Sequence, residues 1–232
     1  METINVTVLN GTKQLVILQG KALDPIQKDQ LKINGQITSV ANYISARIKE
    51  VDCSNAIISV SENQLKLIVN QFDSLSPLIR GELKLHTDII KLAINKEKTF
   101  TAADLAKLFR FNISWFETKQ IGKEIISGLL NFKAKITKDI EKYSDQKGNK
   151  TDLMRQIIDS NQPTKFKLNI CFFEGFTTRE EIVVETYVND DLSVQLVCDE
   201  LDEILKDVSD KIFNFELDKI KLLKPDICII YI

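Results

Sequence analysis

From Phe116 to Lys147 the chain runs 32 residues without a proline, with glycine only at Gly122 and Gly128. From Leu129 onward, Leu129, Phe132, Ile136, Ile140 and Tyr143 follow at steps of three, four, four and three, the spacing of one stripe along a helix. Such a helix would be roughly 45 Å long at a rise of about 1.5 Å per residue, longer than a small domain is wide. A stripe of that length needs a cover, either this chain's own sheets or a second molecule, and its five residues are the candidate interface positions. The expected fold class is α+β, organised around a long central helix at 116–147. Antiparallel hairpins are expected in an N-terminal portion 1–115 and a strand-rich layout in a C-terminal portion 148–232, the three forming separate portions or one continuous domain.

A chain of 232 residues can bury a real core. Its 31 basic and 33 acidic residues sum to a net charge of -2, which offers no global attraction to nucleic acid or an anionic membrane. No window approaches the roughly 18 consecutive apolar residues of a membrane span. The first residues lack a basic region followed by an apolar core, so no secretory leader is expected. Cys53, Cys171, Cys198 and Cys228 are widely separated, without a CxxC pair, and read as reduced thiols of a cytoplasmic protein.

Thr3 to Val8 and Gln14 to Leu18 flank Asn10-Gly11, a strong hairpin signal. Ser39 is positioned to cap a helix carrying Val40, Tyr43, Ile44 and Ile48 on one face. Ala56 to Val60 and Gln64 to Val69 form a second expected hairpin, and Leu78 to Leu85 a further strand after Pro77. His86 to Ile94 reads as a short helix with Ile89, Ile90 and Ala93 inward. Thr101 with Asp104 resembles a capping box opening a helix through Phe109. Phe109, Phe111, Trp115 and Phe116 crowd the junction before the long helix and are expected to pack it onto the N-terminal portion. Lys147-Gly148-Asn149-Lys150 would end that helix, and Thr151 to Ser160 would form another. Strands are expected at Phe166 to Phe173, Glu181 to Val188 and Leu192 to Cys198, a helix at Asp199 to Phe213, and a buried strand at Asp226 to Ile232. Segregation of strands and helices favours α+β over a doubly wound sheet.

No constellation identifies a chemistry. The single histidine, His86, has no nucleophile paired with it in sequence and reads as a capping or packing residue. Glycine-rich phosphate loops and zinc-ligand spacings are absent, and Gly20, Gly35, Gly81 and Gly175 read as isolated turn glycines. Carboxylates are the one catalytic resource: Asp190 and Asp191 in a turn, then Asp199, Glu200, Asp202 and Glu203 opening a helix. They would suit a magnesium-dependent nuclease, but acids are also what a helix N-terminus favours, and no strand supplies the Glu-x-Lys such nucleases use. Lys119, Lys123, Lys133, Lys135, Lys138, Lys142 and Lys147 alternate with Glu117, Glu124, Asp139 and Glu141, as on a solvated helix face with i,i+4 pairs.

Arg80-Gly81-Glu82-Leu83, His86-Thr87-Asp88 and Phe100-Thr101-Ala102-Ala103-Asp104-Leu105 precede the long helix and the strand-rich end. This order resembles that of proteins encoded by phages and prophages, the YfdQ-like prophage family, over residues 80–200. The resemblance implies a bacteriophage or mobile-element setting, with virion association compatible, and transfers no catalytic or binding position. The expectation is a non-catalytic interaction or assembly protein without cofactors, acting on a protein partner or a second copy of itself and not on a membrane. The alternatives are a nucleic-acid-acting protein, with nucleic acid the less favoured partner, in the form of a nuclease using Asp190, Asp191 and Asp199, or an inhibitor of a host defence enzyme.

Overall fold

The computed structural model describes residues 29–144, 165–189, 191 and 193–232, giving residues 132–144 as helix backbone only. The chain runs through β1 (Lys32–Gln36), α1 (Ser39–Ala46), β2 (Ile57–Ser61), β3 (Gln64–Ile68), β4 (Leu78–Glu82), α2 (Thr87–Leu92) and α3 (Ala102–Phe111). A 3-10 turn, Ile113–Trp115, leads into α4 (Lys119–Ser144). Then come β5 (Lys165–Cys171), β6 (Arg179–Val188), β7 (Val194–Val197), α5 (Leu201–Leu223) and β8 (Cys228–Tyr231). The fold is α+β, with five helices and two sheets among the described residues. The expected hairpin at Asn10-Gly11, the helix-ending segment 147–150 and the helix at 151–160 lie outside them.

Alternation builds the first sheet, ordered β1-β4-β3-β2-β8. An antiparallel core of β4, β3 and β2 carries a parallel strand on each edge, β1 beside β4 and β8 beside β2. Each parallel pair demands a long connection. Between β1 and β4 run α1 and the β2–β3 hairpin, and between β2 and β8 runs the whole second sheet. Ile58, Leu67 and Ile79 share one register row, Val60 and Leu65 the next, and all are buried. Val40, Ala41 and Ile44 of α1 join this core, and α5 packs beside α1 with Phe213, Leu217 and Ile220.

Gly35 and Gly81 are not turn glycines, as expected from sequence, but register partners within β1 and β4. Only two residues separate β1 from α1, so the returning chain passes directly over both. A Cβ on Gly81 would meet Ile37 O at 2.7 Å, and one on Gly35 would meet Ser39 Oγ. Gly175 does occupy a turn, at φ +82°.

The second sheet is the antiparallel β5-β6-β7. Phe166, Leu168 and Ile170 of β5 and Ile182 and Val184 of β6 face inward. On the outer face Lys165 pairs with Glu185, and Lys167 with Glu181 at 2.7 Å. The sheets are joined where Leu85 bridges Phe173 and the His86 amide donates to Phe172 O at 2.7 Å. Asn95 closes the far side of β7, its amide donating to Leu196 O at 3.0 Å and its side chain to Cys198 O at 2.7 Å.

Several expectations are corrected. Ser39 is the first residue of α1 instead of its cap, and Ile48 lies past the helix end, exposed. Ile90 points outward at 60% exposure while Leu92 is buried, because α2 turns its other face to the core. Phe111 leaves the aromatic group at 75% exposure. Asp226 to Ile232 is not a buried strand: β8 is an edge, with Tyr231 69% exposed. The Thr101 capping box does form, Oγ1 accepting from the Asp104 amide at 3.1 Å and donating to Asp104 Oδ2 at 2.7 Å. His86 caps α2, its Nδ1 accepting from the Asp88 amide at 3.2 Å.

Two glycines in α4 make a controlled pair. A Cβ on Gly122 would meet Ile113 Cδ1, and Phe116 Cδ2 at 2.8 Å, whereas nothing lies within 4 Å of one on Gly128. Gly128→Ala should therefore raise stability by about 1 kcal/mol through helix propensity. Gly122→Ala should lower it by about 1 kcal/mol or more through overpacking, both read from urea unfolding. Asp88 Oδ2 accepts from Trp115 Nε1 at 2.9 Å, and Trp115 is buried. Asp88→Ala leaves that indole N–H unpartnered and should cost about 1–3 kcal/mol in the same measurement.

Candidate functional site

Three aromatic rings fix the ground on which α3 and α4 meet. Phe109 stacks edge-to-face on Phe116 at 5.2 Å and on Phe166 of β5 at 5.4 Å. Asn112 ends α3, its side chain donating to Leu108 O at 2.8 Å, and the 3-10 turn then reverses the chain. Arg179 of β6 reaches across to donate to Ser114 O. Thr118 opens α4 by accepting from the Ile121 amide at 3.2 Å. The absence of a side chain at Gly122 lets α4 lie against Ile113 and Phe116.

Above this base lies a groove of about 490 Å³ between α3 and α4. Its apolar wall is Ile113, Ile126 and Leu130, and its cationic wall is Arg110, Lys119 and Lys123. On α4 the residues recur at steps of three and four, 119, 123, 126 and 130, so they share one face. No carboxylate lines the groove. Among the described residues Arg110, Lys119 and Lys123 have neither an ion pair nor a side-chain hydrogen bond.

Two of these charges stand against local electrostatics. Lys119 occupies the first turn of α4, which contains no acid, so it faces the positive end of the helix macrodipole. Lys123 follows at i+4, a like-charge spacing that weakens a helix. In the described part of that face a Gln120–Glu124 hydrogen bond at 2.8 Å leaves both lysines out, and the expected pairs of Lys133 to Lys147 with Asp139 and Glu141 lie outside the described side chains. Charges held unfavourably at an apolar concavity mark a place where sequence serves something other than the fold.

Of the five candidate interface positions, the structure buries Leu129 in this chain's own core at 1% exposure, so it is not available to a second molecule. It lies in the part of α4 that packs on α3. The backbone continues the helix through Phe132, Ile136, Ile140 and Tyr143, whose side chains lie outside the described residues.

Of the candidate carboxylates, Asp191 is held by its neighbour Ser193. Asp191 accepts from the Ser193 hydroxyl at 2.6 Å and the Ser193 amide at 3.0 Å. These bonds hold its carboxyl below the usual aspartate range. Asp190 lies outside the described residues, and Asp199 stands in the turn before α5. Among the described residues no three His, Cys, Asp or Glu side chains gather closely enough to hold a metal. All four cysteines are free, and burial pushes the Cys198 thiol up.

Other concavities carry mixed charge, including one where Lys165 lies among Glu185, Asp199 and Glu200. On the open face of the first sheet, Arg80 and Lys84 sit among Glu82 and Glu174, with Lys84 3.5 Å from Glu82. A cleft of about 250 Å³ beside α5 sets Lys211 and Glu180 around Phe172, Phe176 and Phe215. The α3–α4 groove combines apolar lining with one sign of charge. Because its cations pair with nothing among the described residues, Arg110→Gln with Lys123→Gln should leave unfolding free energy within about 0.5 kcal/mol of the parent, or raise it at low salt. The chain matches no protein-family model, no curated protein and no solved structure.

Proposed function

We propose that this is a non-catalytic interaction protein that works by holding a protein partner in the groove between α3 and α4. The observation that carries the reading is a trio of cations, Arg110, Lys119 and Lys123, unpaired among the described residues and beside Ile113, Ile126 and Leu130. An apolar floor with a cationic rim complements an amphipathic helix bearing an apolar stripe flanked by Asp or Glu. Single-stranded nucleic acid fits less well, since the groove lacks an aromatic side chain on which bases would stack. In this reading α4 is the organising helix of the long stripe, and the part of it that packs on α3 carries the groove. A phage- or prophage-encoded accessory role, including inhibition of a host enzyme by occupying its surface, belongs to the same proposal. It rests on the motif order of residues 80–200.

A fluorescently labelled synthetic helix with Leu at i, i+3, i+4 and i+7 and Glu on both flanks serves as probe. Anisotropy titration should show saturable binding that weakens with salt. Arg110→Glu with Lys123→Glu should weaken it about tenfold or more, and Leu130→Asp comparably. A peptide of equal composition with its apolar period scrambled should bind no better than those variants. Tighter binding of a single-stranded oligonucleotide than of the helical probe, lost with the same substitutions, would transfer the groove to nucleic acid.

A further inference from the structure

We infer that the outer edge of β8 is a self-association strand, pairing antiparallel with β8 of a second copy of this chain. β8 pairs with β2 in the register Ile57↔Cys228 to Val60↔Tyr231. The Ile232 amide donates to Val60 O at 2.9 Å. In a parallel ladder, residues bonded to one neighbour alternate with residues facing the other side. Ile230 and Ile232 therefore address β2, while Ile229 and Tyr231 present their N–H and C=O groups outward. β8 ends the strand order, and nothing among the described residues pairs with that side.

The other sheet edges supply an internal comparison. Sheet edges are commonly kept from pairing by lysine, proline, bulges or a covering loop. The outer edge of β1 carries Lys32 and the turn-prone Asn34-Gly35. β5 carries Lys165 and Lys167. β7 is covered by chain, through Asn95 on Leu196 and Cys198 and through Phe100 bonded to Val194 at 2.8 and 2.7 Å. Among the described residues β8 has none of these devices. Cys228-Ile229-Ile230-Tyr231-Ile232 is without charge or proline, with Ile230 43% exposed.

The occupant follows from register and charge. With Ile229 and Tyr231 facing outward, the antiparallel pairing that uses the whole strand sets Ile229 against Tyr231 of the second copy in hydrogen-bonded pairs. Ile230 then meets Ile230 on the two-fold axis, and Cys228 meets Ile232. Every opposition is apolar, no charge faces a like charge, and the same patch serves both copies, as an isologous contact requires. The two five-stranded sheets become one sheet of ten.

Light scattering on the full chain should give twice the 26.5 kDa chain mass, falling to that mass in Ile230→Lys, which sets two ammonium groups face to face. Circular dichroism should show that variant folded. Ile230→Cys supplies the positive test. Across a non-hydrogen-bonded pair the two Cα atoms lie about 4.5 Å apart, within disulfide reach, so mild oxidation should give a reducible covalent dimer. The parent should not, since Cys228 lies opposite Ile232. A parent that is monomeric at every concentration, a dimer that survives Ile230→Lys, or no enrichment of the covalent dimer in Ile230→Cys overturns the inference. These measurements require no peptide ligand, so their outcome is independent of the α3–α4 groove.

Discussion

The edge-to-face contact of Phe109 with Phe116 and Phe166 is the point at which three parts of the fold become one. Phe109 belongs to α3, Phe116 to the entry of α4 and Phe166 to the second sheet, so no two of them can shift without disturbing the third. Such pairs contribute about 0.5–1.5 kcal/mol each beyond the area they bury. Their larger effect is geometric. They fix the angle at which α4 leaves α3, and Gly122 then allows Ile113 to sit between α4 and the groove it lines. The groove is thus the outer surface of a rigid core contact, and its cations are presented on helix backbone instead of on a loop.

Two long helices share the work that a single rod was expected to do. α4 leans on α3 and the 3-10 turn, whereas α5 carries the chain from β7 of the second sheet to β8 of the first. It packs beside α1 through Phe213, Leu217 and Ile220. Glu216 lies in the same buried stripe, held by Lys219 at 2.7 Å through one oxygen while Oε2 has no partner among the described residues. A buried carboxylate satisfied on one side is a cost to stability, met here by the apolar residues on either side of it. The first sheet is completed only by residues from beyond the second, so it binds both ends of the described chain together.

Local patterns were legible wherever one physical rule decided the outcome. The capping box at Thr101, the cap at His86, and the alternation in β2, β3 and β5 each follow from nearest neighbours in sequence. Misreadings arose where tertiary approach decided. Asn34-Gly35 has turn chemistry, yet it lies in β1 in register with Arg80-Gly81, and the start of α1 comes close over both glycines. A short apolar run such as Cys228 to Ile232 has the same composition in a sheet centre and on an edge, so periodicity cannot distinguish them. The groove escaped for a related reason. Lys119 and Lys123 alternate with acids in sequence, and only the fold shows that no acid among the described residues turns toward them. The acid-free first turn of α4 was the one local sign.

Charge separates the two proposed contact surfaces by the kind of partner each admits. A surface lined by Arg110, Lys119 and Lys123 repels a second copy of itself, and no compensating carboxylate stands within it. Its partner must bring negative charge, hence be a different surface or a different molecule. The β8 edge has the opposite property. With no charge to satisfy, it gains nothing from a charged partner, and its unpaired backbone groups are best met by a strand with matching apolar residues, which its own sequence provides. Like pairs with like at β8, and unlike with unlike at the groove. A chain whose net charge is only -2 can hold both surfaces because it concentrates three cations that pair with nothing among the described residues and keeps charged side chains off the β8 edge, while the β1 and β5 edges carry lysines.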